Sequence, residues 1–356
     1  MIPPSYRSAG GRPSSPCGGF TLIEMLVSTV ILVIIMGIVF SMTEQTSNIW
    51  KGTSNKIESF RGARSAFEAM TRTISQATLN TYYDYQDSTG GWCSATGNPA
   101  ATYARRSDLH FICGQGSTLI GSTYTDNGST YTPVTHSLFF QAPLGWSNAY
   151  FNQQRLLNAC GFYVAYGPDP SVPSYLSGLA PRNRYRLMQF LQPSENLAVY
   201  ANPATTAWFT QPISGTYDTS SNFTLADNVV ALVIWPKNSA GDQAAPSATT
   251  LTSNYSYDSR STANSNLTFN QLPPIVEVTM VSIDEASAIR MGNPATPPNA
   301  TVGLTSTLFA SATYPASGQN QLQQDLATME TTLTTNHINY HVFQTEVAIG
   351  SAKWSQ

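Results

Sequence analysis

The sequence is poor in charged side chains. Only 10% of its 356 residues are Asp, Glu, Lys or Arg, against roughly 25% in an average soluble protein. Ser, Thr, Asn, Gln, Gly and Pro supply the polarity instead, and this composition favours an exported protein. The formal net charge of -3 provides no basic surface, so nucleic acid is not expected as a partner.

Cysteine is also scarce, with residues at positions 17, 93, 113 and 160. No two of them form a C-x-x-C pair, and no histidine stands beside them at zinc spacing, so a metal site is not expected. If a leader containing Cys17 is removed, the others allow at most one internal disulfide, either Cys93 to Cys113 or Cys113 to Cys160. An oxidising compartment permits such a bridge without requiring it.

Motifs of the common catalytic sites are missing. The sequence contains no G-x-S-x-G, no G-x-x-x-x-G-K-[ST] and no S-x-x-K. His337 and His341 are four residues apart but lack the glutamate of H-E-x-x-H, and the histidines are interpreted as ordinary packing or surface residues. Asp284 and Glu285 are adjacent, so in a strand their side chains would point to opposite faces. We therefore expect a protein that is not an enzyme and needs no cofactor.

The sequence does contain one long apolar run near its start. Residues 1–19 carry Arg7 and Arg12 but no acidic residue, and Met25–Thr43 has no charge at all. About twenty apolar residues cross a bilayer, and positive charges keep their flank on the cytoplasmic side. This pattern predicts a single span with the rest of the chain outside the cytoplasm.

The order of these features excludes two common export signals. No A-x-A cleavage site follows Phe40, and Cys17 precedes the apolar run instead of following it. The residues that join the leader to the run, GFTLIE at 19–24, instead resemble the cleavage motif of type IV prepilins. This resemblance implies that a prepilin peptidase cuts after Gly19 and methylates the new amino terminus at Phe20, which keeps that amine charged.

Glu24 is the unusual residue of this segment, because a carboxylate in the hydrocarbon layer costs roughly 2.5 to 3.5 kcal/mol. After cleavage it would be the fifth residue, ~6 Å along the helix from the amine of Phe20. In the pilin family the matching glutamate pairs with the amino terminus of a neighbouring subunit, so the resemblance implies a role for Glu24 in subunit assembly. The alternative is that Glu24 only favours the positive end of its own helix, worth ~0.3 to 1 kcal/mol.

The helical pattern continues beyond the apolar run. Apolar residues recur at spacings of three, four and seven, and no proline occurs in residues 20–98. A single helix of about sixty residues would be ~90 Å long, with the apolar stripe of its second part packed on the protein's own sheet. The stripe consists of Ile49, Trp50, Ile57, Phe60, Phe67, Met70, Ile74 and Ala77.

From Tyr82 onward, short β-rich runs alternate with clusters of Gly, Pro, Ser and Asn. The predicted strands are Leu109–Cys113, Ser137–Gln141, Gly161–Tyr166, Arg184–Leu191, Val229–Trp235, Ile275–Ile283 and His341–Ile349. A short helix is predicted at Gln321–Thr334, and long loops at Gly114–Thr135, Asn238–Asn270 and Ala286–Gln319. The chain is thus predicted to have an α+β, pilin-like fold, in which a long helix packs on an antiparallel β-sheet head.

These patterns predict four parts of the chain: a leader at 1–19, a transmembrane and polymerisation helix at 20–43, its amphipathic continuation at 44–80, and a β-rich head at 81–356. Two further segments, LPPIVEVTMVSIDE at 272–285 and NYHVFQTEVAIGSAKWS at 339–355, are similar to large minor pseudopilins of the J type. They also resemble long pilin-like proteins of verrucomicrobial cassettes.

The first functional hypothesis is a structural minor pilin or pseudopilin of a type II secretion or type IV pilus-like filament. Its expected partners are a prepilin peptidase, other pilin or pseudopilin subunits, an inner-membrane assembly platform and the membrane. The chain would first sit in the cytoplasmic membrane with its head in the periplasm or outside, and then enter a periplasmic or surface filament.

The second hypothesis is a membrane-anchored adhesin or carbohydrate-binding surface domain that does not polymerise. The chain has 18 tyrosines and 6 tryptophans, and exposed aromatic faces can stack on sugar rings. Trp92, Trp146 and Trp208 lie in loop-like sequence contexts and are the candidates for such a surface. More often, however, aromatic residues fill cores and strand pairs.

Overall fold

The first element in the described part of the chain is α1, a helix of 53 residues from Leu22 to Ile74. The computed structural model describes residues 19, 21–169, 178, 182–201, 205–215, 221–238, 251, 254–262, 268–312 and 320–352, with the backbone alone at 52 and 54–59. The chain divides into two compact units, Met1–Ser54 and Asn55–Gln356. The predicted leader, residues 1–19, lies outside the described residues except for Gly19.

The first unit contains a segment of α1, Leu22–Lys51, that is long and apolar enough to cross a membrane. None of its most apolar window is buried by protein. Its hydroxyl groups bond to carbonyls of the same helix, as in Ser28 to Glu24 O at 2.7 Å and Thr43 to Val39 O at 2.8 Å. Such bonds satisfy polar side chains where water is absent, so they suit a helix in lipid.

The second unit is built from twelve short strands and six further helices among the described residues. The strands are β1 (Tyr82–Gln86), β2 (Thr102–Arg106), β3 (Ile112–Gln115), β4 (Tyr124–Asp126), β5 (Ser129–Ala142), β6 (Asn158–Gly167), β7 (Arg184–Gln192), β8 (Asn222–Asp227), β9 (Val229–Lys237), β10 (Tyr257–Asp258), β11 (Ile275–Ile283) and β12 (Tyr340–Ala348). The helices are α2 (Cys93–Thr96), α3 (Gly116–Leu119), α4 (Ala198–Ala201), α5 (Ala207–Ile213), α6 (Glu285–Arg290) and α7 (Gln321–Thr335).

The strands form three sheets, and every pair in them is antiparallel. The large sheet has the order β10, β3, β5, β6, β7, β8, with β4 added against β5. The small sheet has the order β12, β11, β9, and β1 with β2 forms a separate ribbon. The helix followed by antiparallel sheets confirms the predicted α+β class.

Two apolar clusters pack on opposite faces of the large sheet. Successive residues of a strand face opposite ways, so Leu138 and Phe140 lie in one cluster and Phe139 lies in the other. The first cluster also contains the small sheet and the inner stripe of α1, whereas the second is covered by Trp208 and Phe209 of α5. Burial on both faces explains why β6 and β9 read as continuous apolar runs.

The inner stripe of α1 consists of Ala63, Ala66, Phe67, Met70 and Ile74, all of them buried. Their spacing of one to four residues places them on one side of the helix. This confirms the predicted packing of Phe67, Met70 and Ile74. Ala77, three residues after the end of the helix, is also buried, as predicted.

The predicted stripe was wrong at its beginning. Ile49 and Trp50 are 69% and 76% exposed, and both belong to the apolar segment that ends at Lys51. A tryptophan at the end of a span commonly lies at the membrane interface, where one side of its ring is apolar and the other wet. The side chain of Ile57 lies outside the described part of the chain.

All seven predicted strands and the predicted helix at 321–334 correspond to observed elements, β3, β5, β6, β7, β9, β11, β12 and α7. The loop predicted at Gly114–Thr135 was wrong, because it holds α3, β4 and the start of β5. Asn127 and Gly128 join β4 to β5 with positive φ angles of 47° and 76°. An Asn-Gly pair is the strongest short sequence signal for such a hairpin, so this turn was predictable from residues 127 and 128.

The other two predicted loops also contain regular elements. The segment Ala286–Gln319 begins within α6, which is capped by Asp284 accepting a hydrogen bond from the Ser287 N–H. The segment Asn238–Asn270 includes the short strand β10, and much of the rest of it lies outside the described residues. β10 was missed because a two-residue strand has no periodicity to detect.

Gly161→Ala is expected to destabilise the head by about 1 to 3 kcal/mol, the usual cost of overpacking. A Cβ at Gly161 would lie 2.2 Å from Cδ1 of Phe139 and 2.8 Å from the Leu138 carbonyl oxygen. The Phe139 ring cannot retreat easily, because it stacks on Phe209 with ring centroids 4.0 Å apart.

Chemical denaturation of the full chain in detergent would measure this loss. Gly62→Ala is the matched control, since a Cβ there meets no atom within 4 Å and alanine favours a helix by ~1 kcal/mol. Equal midpoints for Gly161→Ala and the parent chain would contradict the packing described for β6.

Candidate functional site

The candidate site is the start of α1, where Thr21 and Glu24 form a reciprocal cap. The Glu24 N–H donates to Thr21 Oγ1 at 3.3 Å, and the Thr21 N–H donates to Glu24 Oε2 at 3.2 Å. The Thr21 hydroxyl also donates to Glu24 Oε2, at 3.1 Å. This is a capping box, in which an N-cap threonine and a glutamate three residues later each satisfy a backbone N–H of the other.

The cap fixes the carboxylate of Glu24 at the first turn of the helix while leaving part of it open. Both bonds from Thr21 reach Oε2, and Oε1 takes no hydrogen bond from the described residues. Glu24 is exposed, as are the apolar side chains that follow it, among them Met25 at 59% and Leu26 at 57%. One oxygen of this carboxylate can therefore accept a donor from outside the chain.

The comparisons identify this segment. A family model described as the prokaryotic N-terminal methylation motif matches residues 14–40, which include the capping box and most of the apolar segment. The chain is a type IV pilin-like protein. The comparisons with curated proteins and with solved structures find no match. For the pilin-like chain, the motif points to a structural subunit, and it implies processing by a prepilin peptidase, assembly with other pilins and anchoring in a membrane.

The predicted cleavage residues lie just before the cap of this pilin-like protein. Gly19 is exposed, and a Cβ placed on it would meet no atom within 4 Å. Phe20, the predicted methylation site, lies outside the described residues. The capping role of Glu24 was missed in the sequence, although T-x-x-E before an apolar run is its signature.

The predicted disulfide is not formed in this structure, where Cys93, Cys113 and Cys160 have free thiols. Cys113 lies in β3 opposite Leu138, and Cys160 lies in β6 opposite Phe140, with β5 between them. Two strand spacings separate their Cα atoms by at least ~9 Å, beyond the ~7 Å limit for a bridge.

The Cys93 to Cys113 alternative is not formed either. Cys113 is fully buried, and its Sγ lies 3.5 Å from the Tyr255 carbonyl oxygen, whereas Cys93 lies in α2 and is only partly buried. Burial raises the pKa of the Cys113 thiol, and it raises the pKa of Cys160 to about 12. Both thiols are therefore protonated and unreactive at neutral pH.

His110 forms the arrangement in the head that most resembles a catalytic pair. Its Nε2 lies 2.7 Å from Asp258 Oδ1, and its Nδ1 lies 3.1 Å from Trp208 Nε1. An indole N–H only donates, so we assign the proton of the neutral ring to Nε2, which donates to Asp258. The nitrogen that would act as a base is thus occupied by Trp208. Burial lowers the pKa of His110, and Asp258 opposes that effect.

The described side chains bear on two further hypotheses, a metal site and a surface of exposed tryptophans. Within the ranges that the structure describes, no group of three or more His, Cys, Asp or Glu side chains could hold a metal ion. Trp208 is 0% exposed and fills the second cluster, so it is not available to the alternative of a sugar-binding surface. Trp92 and Trp146 are half-buried; Trp92 lies under the Arg106 guanidinium, and Trp146 packs edge-on against Phe223.

Exposed aromatic rings instead cluster on the β1–β2 ribbon. Tyr83, Tyr85 and Tyr103 are 58%, 56% and 62% exposed. Tyr85 lies directly opposite Tyr103, and Tyr83 is two residues away on the same face. The Tyr83 and Tyr103 rings stack with centroids 5.1 Å apart. In the sequence YYDYQ at 82–86, Tyr83 and Tyr85 occupy alternate positions, but this segment was not predicted to be a strand.

Proposed function

We propose that the chain is a minor pilin or pseudopilin that is cut after Gly19, methylated at Phe20 and assembled through its N-terminal helix. The observation that carries this proposal is the methylation motif at 14–40, with a capped glutamate at the head of an exposed apolar span. The parts we assign are the leader at 1–19, the transmembrane and polymerisation helix at 20–43, its continuation at 44–80 and the head at 81–356.

The geometry of Glu24 supports a role in assembly. In lipid, an unpaired carboxylate is unfavourable by several kcal/mol, and the capping box satisfies only Oε2. The charged amine of a neighbouring Phe20 would neutralise the carboxylate through Oε1 without breaking the cap. The cap and the intersubunit pair are therefore compatible, which makes Glu24 a fixed reference point for the stagger between subunits.

The large head favours a minor position near the end of the filament, because a bulky subunit packs poorly in every turn of a helical assembly. Two charges of the leader, Arg7 and Arg12, favour a cytoplasmic leader, with the head in the periplasm or outside. A prepilin peptidase, other pilin or pseudopilin subunits and an inner-membrane assembly platform are the partners of this scheme. A type II secretion or type IV pilus-like machine would provide them.

Mass spectrometry of the native amino terminus tests the processing step. The expected mature chain begins at an N-methylated Phe20. A purified native chain that still begins at Met1, or that begins after the apolar segment, would rule out the filament-subunit interpretation.

Glu24→Ala is expected to insert and be cleaved normally but to be lost from the filament fraction by tenfold or more. The sharper variant is Glu24→Gln, because its amide oxygen still caps Thr21 while its charge is gone. Failure of Glu24→Gln to assemble would assign the role to the charge, whereas normal assembly would leave Glu24 only its capping role. Thr21→Ala is the matched control; it loses ~1 kcal/mol of capping and should still assemble.

A second candidate function is a membrane-anchored adhesin or carbohydrate-binding domain that does not polymerise. The three exposed tyrosines of the β1–β2 ribbon favour it, since exposed aromatic faces in such a cluster commonly form contact surfaces. On this hypothesis, Glu24→Gln leaves function unchanged, while Tyr103→Ser abolishes glycan-array binding. The opposite pattern supports the filament subunit.

A further inference from the structure

The strand β12 forms one edge of the small sheet, and it pairs with β11 on its inner side only. Just before β12 the Asp284 N–H donates to the Asn339 carbonyl, and just after it the Ile349 N–H donates to the Pro274 carbonyl, both in the register of this strand pair. Hydrogen-bonded pairs alternate along an antiparallel ladder, so the odd-numbered residues of β12 bond to β11. The even-numbered residues therefore direct their backbone N–H and C=O groups outward.

The outward-facing edge of β12 is open. It consists of Tyr340, Val342, Gln344, Glu346 and Ala348. Their backbone groups make no hydrogen bond to any residue that the structure describes. The strand has nine residues, contains neither proline nor lysine, and pairs with β11 without a register shift. A long, regular edge of this kind is a template for the addition of another strand.

The other end strands of the two main sheets are protected. In β9, the outward-facing N–H groups of Leu232 and Ile234 bond to Thr135 Oγ1 and His136 Nδ1, and Pro236 has no N–H to donate. The large sheet ends in β10, which has two residues, and in β8, whose pairing with β7 has a register shift. Caps, prolines, short strands and bulges all hinder strand addition. The head thus blocks three of these edges and leaves β12 open.

The open edge lies beside the amphipathic part of α1. The ring centroids of Phe60 and His341 are 5.7 Å apart, and those of Phe67 and Phe343 are also 5.7 Å apart. A subunit that packs along this part of the helix would therefore arrive next to β12. A backbone edge is satisfied by the backbone of another extended segment, so the geometry calls for a strand from that subunit.

The two faces of β12 determine which side chains such a strand must carry. Phe343 faces α1, which favours apolar residues on that side of the partner strand. On the other face Glu346, 59% exposed, and the buried Glu277 share the single ammonium group of Lys237. Two carboxylates against one ammonium leave a negative charge at this edge, which favours a basic residue in the partner.

We infer that β12 binds an extended strand of a different pilin-like subunit, which continues the small sheet beyond β12. The inference rests on the proposed function, because a minor subunit has few copies of itself as neighbours. Backbone bonds to the even-numbered residues of β12 hold the strand, and its alternation of apolar with polar or basic residues makes the contact specific.

Gln344→Pro is the decisive variant, because the N–H of Gln344 faces outward and proline is tolerated at such edge positions. It removes one donor and obstructs an approaching strand while keeping the ladder to β11. Gln344→Ala is the matched control, since both variants lose the side-chain bond to Glu277 but alanine keeps the backbone N–H. Both should begin at methylated Phe20 and retain the head's near-ultraviolet circular dichroism. In the filament fraction we expect Gln344→Pro to fall tenfold or more and Gln344→Ala to match the parent chain.

Photocrosslinking in intact cells identifies the partner without disturbing the ladder. p-Benzoylphenylalanine in place of Gln344 should crosslink to a different chain whose sequence carries a prepilin-type motif, whereas the same group in place of Gln153, at an exposed position, should not. A crosslink only to a second copy or to a protein without the motif, no crosslink, or equal assembly of Gln344→Pro and Gln344→Ala would overturn the inference and leave the proposed function intact. A parent chain that never enters filaments would instead rule out the proposed function, and this inference with it.

Discussion

Glu277→Ala is expected to lower the free energy of unfolding by about 3 to 5 kcal/mol, the usual loss when a buried ion pair keeps one partner. Glu277 and Lys237 are 4% and 7% exposed, and they contact each other through Oε2 and Nζ. Nζ also lies 4.5 Å from the centroid of the Trp235 ring. Without Glu277, the charge of Lys237 stays buried against that ring.

The pKa of Lys237 shows how strongly the carboxylates act. Burial by itself lowers the pKa of Lys237, but hydrogen bonds to Glu277 and Glu346 outweigh burial and raise it above its ordinary value. The ammonium group is therefore charged at any physiological pH. Lys237 is consequently a fixed positive charge of the small sheet.

Glu346→Ala provides the matched control for this prediction. Glu346 contacts the same ammonium group at 2.8 Å, but its side chain is 59% exposed, and exposed pairs are worth only ~0 to 1 kcal/mol. Urea unfolding of the full chain in detergent would compare the two variants. Equal losses would contradict the assignment of the buried contact as the stabilising one, and Lys237→Met with Glu277→Leu should recover most of the loss.

Mild acid is expected to destabilise the head by about 3 kcal/mol between pH 6.5 and pH 4, mainly through His136. Its Nδ1 accepts from the Ile234 N–H at 3.1 Å, and its Nε2 lies 2.9 Å from the Phe309 carbonyl oxygen. Complete burial lowers the pKa of His136 to about 4, well below the value of 6.5 for a free histidine. A protonated ring could no longer accept the bond from Ile234.

The sign of this effect follows from proton uptake. Above pH 6.5 the ring is neutral in both states and stability is complete. As the pH falls below 6.5, the unfolded chain binds a proton that the folded chain does not bind until about pH 4. The free energy of unfolding therefore decreases, by about 1.4 kcal/mol for each pH unit of difference.

Denaturation of the full chain at a series of pH values measures this slope. His136→Gln should flatten it, because a glutamine amide can accept from the Ile234 N–H and donate to the Phe309 carbonyl without titrating. His341→Gln, at the exposed start of β12, is the control and should keep the parent slope. A parent slope in His136→Gln would show that another group carries the acid sensitivity; His110, whose pKa burial also lowers, would be that group.

His136 also shows why sequence reasoning found the strands more readily than the contacts between sheets. The edge of β9 that faces away from β11 has backbone N–H groups at Leu232 and Ile234. Thr135 Oγ1 and His136 Nδ1, from an irregular point in β5, accept their hydrogen bonds at 3.0 and 3.1 Å. Positions 135 and 232 are almost a hundred residues apart, so no local pattern could connect them.

Apolar sequence patterns correctly predicted the strands whose residues are almost all buried. β6, β9 and β11 are buried on both faces, and their apolar runs are visible without any knowledge of their neighbours. The β1–β2 ribbon and β4 are short and rich in tyrosine and threonine, so a search for apolar runs did not detect them. Trp208 lies in a short apolar segment, Ala207 to Phe209, with polar residues and Pro212 around it, a pattern that is compatible with both a loop and a short covering helix.

The sequence by itself determined the membrane-spanning segment, the prepilin-type motif around Gly19 and Glu24, and the α+β class. These depend on local length, charge and spacing, which the chain carries regardless of its fold. Only the tertiary structure decided that Cys113 and Cys160 lie too far apart to bridge, and that His136 and Lys237 are buried. Those properties depend on which distant residues remove a group from water, and burial of that kind is a property of the folded chain alone.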